Sequence, residues 1–167
     1  MVPTLNYLRP LFHEEQDFRG SRAVVYTGGT FVLVAAGLCA TMLLMNGPVW
    51  PALLPVALAG GIITVVMFLS KMTTIVDAAG VHVRYFPFLN KTFALADVTG
   101  WEVKKYDAIE YGGWGVRGLP DRYGWAYIVR GHHGVEIEFK NGHRLMLGSQ
   151  RAEELARALE EVKRENA

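Results

Sequence analysis

The side chains arranged for chemistry gather after position 70. Gly113-Trp114-Gly115-Val116-Arg117-Gly118 is a literal G-x-G-x-x-G. A dinucleotide site of that form needs a strand before it and a helix directly after, whose N-terminus holds the pyrophosphate. Here Leu119-Pro120-Asp121-Arg122 follows and reads as a turn, so no nucleotide is expected. The surrounding loop, residues 107–124, sets Tyr111, Trp114, Tyr123 and Trp125 among Gly112, Gly113, Gly115, Gly118 and Gly124. Trp and Arg anchor interfaces. Trp114, Arg117 and Arg122 therefore form a candidate interaction surface for a protein or a lipid headgroup, with Lys104 and Lys105 as further groups that could meet phosphates. Two readings of Trp114 stand side by side: it docks a partner, or it folds back over an open sheet while the glycines permit the turns. The second is the more economical. The lysine pair equally suits a solvated strand end.

His132 and His133 are adjacent in a predicted turn and point apart, while His82 and His143 fall in predicted strands, so neither a metal nor a cofactor is expected. His13, Glu14 and Glu15 read as a solvated helix face rather than as ligands. No paired carboxylates, Ser-His-Asp order or reactive cysteine emerges, and no enzymatic activity is expected.

These residues must be positioned by what lies around them, and residues 23–70 dominate. That stretch contains no Asp, Glu, Lys, Arg or His, and Asn46-Gly47-Pro48 divides it into apolar runs at 23–45 and 49–70. At about 1.5 Å per residue the first reaches roughly 34 Å, enough for a hydrocarbon layer of about 30 Å. The prediction is two transmembrane helices joined by a tight turn. Arg9, Arg19 and Arg22 precede them, Lys71, Arg84 and Lys91 follow, and the turn carries no basic residue. The positive-inside rule then places both termini in the cytoplasm of a multi-pass protein of the cell (inner) membrane. Leu38 before Cys39 argues against a lipoprotein signal, and the polar residues ahead of a long apolar run argue against a cleaved leader, so both spans are expected to persist. With no charge inside the spans, an ion path or proton relay is not expected. Residues 1–22 are predicted to be a juxtamembrane segment, with a short interfacial helix over 7–22 whose Leu8, Leu11, Phe12 and Phe18 dip toward the headgroups.

Residues 71–167 carry 14 Lys+Arg against 13 Asp+Glu, a balance that does not point to nucleic acid. Their hydrophobic period is two. Strands are predicted over 73–77, 81–86, 91–95, 99–106, 124–131, 134–140 and 143–149, with Asn141-Gly142 as a hairpin turn. Ser149 caps a final helix to about Arg164 with Leu155, Leu159 and Val162 on one stripe. The expected fold is α+β: a bent antiparallel sheet or partial barrel of about seven strands, closed by a C-terminal helix.

HEEQDFR before the first span, TTIVDAAGVHVRYFPF after the second, EYGGWGVRG, and GVEIEFKNGHRLMLGSQRAEEL carry a resemblance. The chain is similar to small bacterial two-span membrane proteins with a C-terminal bacterial PH-like domain. The resemblance implies a non-enzymatic module at the membrane, mediating protein interaction or scaffolding through a protein partner or homo-oligomer. Sensing of anionic lipid headgroups is the alternative, and an accessory subunit of a transport complex the third. PH domains that grip phosphoinositides use a basic first hairpin loop; here that loop is Ala78-Ala79-Gly80, so that activity is not implied.

Overall fold

The computed structural model describes residues 10–19, 21–119 and 124–165. The chain forms two compact units: residues 17–70, and a discontinuous head made of residues before 17 together with those from 71 onward.

The first unit holds α1 (Arg22–Leu44) and α2 (Trp50–Leu69), within a residue or two of their predicted spans. Ser21 caps α1, its Oγ accepting from the Ala23 N–H at 3.1 Å, and Pro51 sits in the first turn of α2, where a missing N–H costs nothing. Both helices are apolar on every side; Ala23 is the one buried residue of α1, and none of α2 is buried. A soluble protein hides such helices, so this exposure suits lipid. Three of their hydroxyls are satisfied internally: Thr30, Thr41 and Thr64 donate to the carbonyls of Tyr26, Gly37 and Gly60 at 2.7–2.9 Å. That is the solution available where no water competes. Gly60 faces Phe31 closely enough that a Cβ there would stand 3.1 Å from the ring, whereas Gly61 meets nothing within 4 Å. The guanidinium of Arg19 lies 4.6 Å from the Phe68 ring centroid. Length and composition alone make both helices able to cross a membrane.

The head is a mixed α+β domain. Its N-terminal piece corrects the predicted interfacial helix: Phe12–Asp17 is a strand, β1, with Phe12, Glu14 and Gln16 buried and His13 and Glu15 exposed. Residues 7–9 lie outside the described residues. β1 joins β2 (Lys71–Asp77), β3 (Gly80–Phe86) and β4 (Leu89–Ala94) in one sheet of order β1-β2-β3-β4. The Leu11 N–H donates to Val76 O at 2.9 Å and Glu15 pairs with Lys71 at 2.6 Å, so β1 and β2 are antiparallel neighbours. The helical hairpin is thus inserted between two adjacent strands.

The second sheet holds β5 (Val98–Lys105), β6 (Gly115–Leu119), β7 (Gly124–Ile128), β8 (His133–Phe139) and β9 (Arg144–Gly148), ordered β5-β8-β9-β7-β6. β7 and β9 are parallel, so the seven antiparallel strands expected become nine in a mixed arrangement among the described residues. β1 and β6 are the additions. Phe93 of β4 meets Phe139 and Tyr127 at centroid distances of 5.6 and 6.4 Å, where the two sheets face each other. α3 (Ala152–Glu165) buries Leu155, Leu159 and Val162 and packs on β5, β8 and β2.

Candidate functional site

Among the described candidate interaction residues, the lysine pair lies apart from Arg117. Lys104 and Lys105 lie on β5 and Arg117 on β6, the two opposite edges of the second sheet. Four strand spacings of about 4.8 Å separate them by roughly 19 Å. Lys104 is committed to its own sheet, its Nζ lying 2.7 Å from Glu136 and 3.2 Å from Glu102. The hydrogen bond to Glu136 is the main reason its ammonium sits above the ordinary lysine range. Lys105 and Arg117 are exposed, and Arg122 lies outside the described residues. Trp114 is half-buried against Tyr106, Ala108, Tyr111, Ala126, Ile128 and Met146. Its ring thus packs on the buried cluster of the second sheet. β6 begins at Gly115, so a strand rather than a helix starts inside the G-x-G-x-x-G segment and no phosphate-binding helix end forms there. Among the described residues no three His, Cys, Asp or Glu side chains gather to hold a metal ion.

β1 brings a buried polar cluster that pattern reading assigned to solvent. Glu14, 6% exposed, accepts from the Ser149 hydroxyl at 2.5 Å and from the Gln150 N–H at 2.9 Å, while Ser149 Oγ accepts from the Arg151 N–H at 3.0 Å. The carboxylate therefore completes the N-terminal cap of α3 from 135 positions away, where a helix end favours negative charge. Gln16 Nε2 donates to Gly148 O at 2.8 Å, and the Arg151 guanidinium donates to His13 O. These contacts hold the two sheets and α3 in one body.

The Tyr106 hydroxyl is buried beside this cluster and has no hydrogen-bond partner among the described residues. Burial first, then the Glu14 charge, pushes its ionisation far above the ordinary phenol range; burial also raises Tyr127. Below about pH 10 both phenols are neutral in folded and unfolded chains, with no effect on stability. Above it the unfolded chain releases protons that the folded one retains, so stability falls as pH rises. Tyr106→Phe is expected to leave neutral-pH stability unchanged or raised by about 1 kcal/mol and to flatten that alkaline decline. Thermal melts between pH 7 and 11 check both; a loss of stability at pH 7 would mean the hydroxyl has a partner.

A concavity of about 470 Å³ opens between β4 and the β8–β9 turn. Phe93, Phe139 and Leu145 form its apolar lining, Lys140, His143 and Arg144 its basic rim, and Trp125, 51% exposed, stands at its mouth. β4 ends the first sheet, so one of its backbone edges has no strand partner among the described residues. Thr92 of β4 also lines the cleft, and its hydroxyl lies 3.0 Å from His82 Nδ1, whose Nε2 lies 3.0 Å from Asp77 Oδ1. Asp77 Oδ1 further accepts from the Ala79 and Gly80 N–H groups, so this relay ties the β2–β3 turn to the edge strand. The sequence signal for the cleft was the alternation in GWAYI, which puts Trp125 on the Tyr127 face. No family model, curated protein or solved structure matches the chain.

Proposed function

We propose that this is a two-span protein of the bacterial inner membrane, both termini cytoplasmic, whose PH-like head binds a protein segment and performs no reaction. The spanning reading is supported by two helices exposing apolar side chains on all sides, with Arg19, Arg22 and Lys71 at their outer ends and no basic residue in their turn. The PH-like reading is supported by two sheets with a C-terminal helix, α3, packed on β5, β8 and β2; the parallel β7–β9 pair and the strand ahead of the spans are departures from the expected pattern.

The observation that carries the binding role is Trp125 at the mouth of the cleft beside the open edge of β4. An unpaired strand edge offers backbone hydrogen bonds to an extended peptide, and an adjacent apolar cleft selects a side chain. Trp is the residue type most enriched among binding hot spots. Headgroup recognition is less well served, because Lys104 is already held by Glu136 and Glu102 and Arg117 lies at the far edge.

A photoreactive benzoylphenylalanine at position 125 of the full chain, irradiated in native membranes, tests this. The expected product is one discrete protein adduct, absent when the probe is placed at exposed Arg157. A lipid adduct would favour headgroup binding, and equal labelling from both positions would remove the cleft as a site.

A further inference from the structure

Both ends of the helical hairpin enter the head at one end of its first sheet. The chain leaves β1 at Asp17 for α1, and α2 ends at Leu69, with only Ser70 between it and the start of β2 at Lys71. β3 runs back to that same end, because its last residue, Phe86, is the register partner of Lys71. The turn that follows is Pro87-Phe88, closed by the Phe88 N–H donating to Tyr85 O at 2.8 Å. Phe86 and Phe88 are 48% and 58% exposed. The Tyr85 ring stacks on Phe88 at 6.1 Å and holds it outward. Arg84 is exposed on the same face as Phe86, and Lys71, paired with Glu15, lies directly across from it.

We propose that the Phe86-Pro87-Phe88 tip inserts into the headgroup layer of the bilayer that holds the hairpin, giving the head a third attachment besides its two covalent ones. The proposal rests on the spanning reading, and the chain path carries it further. Antiparallel partners lie about 5 Å apart, so Phe86 stands beside Lys71, the head residue joined to α2 through Ser70 alone. The interfacial layer is about 5–8 Å thick on each side of the hydrocarbon, so a tip tethered this closely to the end of a spanning helix is within reach of it. Aromatic side chains favour this layer, and neighbouring cations favour its anionic headgroups. The Ala78-Ala79 turn closes the opposite end of β2 and β3, six strand steps or about 20 Å away.

Spin labels on the full-length chain in vesicles of phosphatidylethanolamine and phosphatidylglycerol read this depth from collisions with oxygen and with a water-soluble nickel chelate. Cys39, the one cysteine, lies within α1 and reports the spans themselves. Phe88→Cys, Phe86→Cys and Ala79→Cys, each with Cys39→Ala, report the tip and the far turn. The expected oxygen-to-nickel ratio is high at 39, intermediate at 86 and 88, and several-fold lower at 79. A ratio at 86 and 88 equal to that at 79, with 39 still protected, overturns tip insertion alone. A nickel-accessible label at 39 overturns the spanning reading and the insertion with it.

Discussion

Glu14→Ala is expected to lower the stability of the head by about 3 kcal/mol, since it leaves the buried Ser149 hydroxyl and the Gln150 N–H without their acceptor. For a domain near 100 residues that shift is about 15 °C in Tm. Glu14→Gln keeps one acceptor oxygen and offers an amide that cannot accept from Ser149, so it should fall between the two. Melting of the full-length chain in lipid nanodiscs, followed by near-ultraviolet circular dichroism, gives the order wild type, Gln, Ala. If Glu14→Ala melted within 2 °C of wild type, β1 would not be capping α3. Arg151 offers no rescue, because its guanidinium already serves His13 O and Glu154.

Gly124→Ala is the second large effect. Gly124 has φ +73° and its missing Cβ would stand 2.0 Å from the Arg144 carbonyl oxygen, a backbone atom. Nothing flexible is available to yield, so the parallel pairing that sets Trp125 against Leu145 must open. The expected loss is more than about 3 kcal/mol, together with loss of the Trp125 environment in fluorescence. Gly142→Ala is the matched control, with φ +77° and open space around it, and should cost about 1 kcal/mol. Equal losses at the two positions would mean that the close β7–β9 approach contributes nothing.

The readable parts of the chain were those whose burial follows hydrophobicity. The helical hairpin, the Val81-Val83-Tyr85 face of β3 and the Leu155-Leu159-Val162 stripe of α3 are apolar where they are hidden or lipid-ready, and period alone locates them. β1 was misread because two of its three inward residues are Glu14 and Gln16; a strand that buries polar groups against a helix end has no hydrophobic alternation to detect. β6 was missed because Gly115, Arg117 and Gly118 carry no strand signal and its partner β7 supplies the pairing. The parallel β7–β9 contact joins segments separated by β8, a relation that local turn chemistry does not encode. Trp114 was placed by economy of packing. Trp125 was overlooked as a site because the cleft it lines is built from β4 and the β8–β9 turn, segments distant from it in sequence.

The account turns on a head whose first strand precedes the helices that interrupt it. Residues 71–165 expressed alone should aggregate or remain unfolded, whereas residues 10–17 joined to 71–165 through a short Asn-Gly turn, which two adjacent antiparallel strands accept, should give a soluble, cooperatively melting domain. Circular dichroism and size-exclusion chromatography on this pair decide the matter. A fully folded 71–165 fragment, as stable as the joined one, would contradict it.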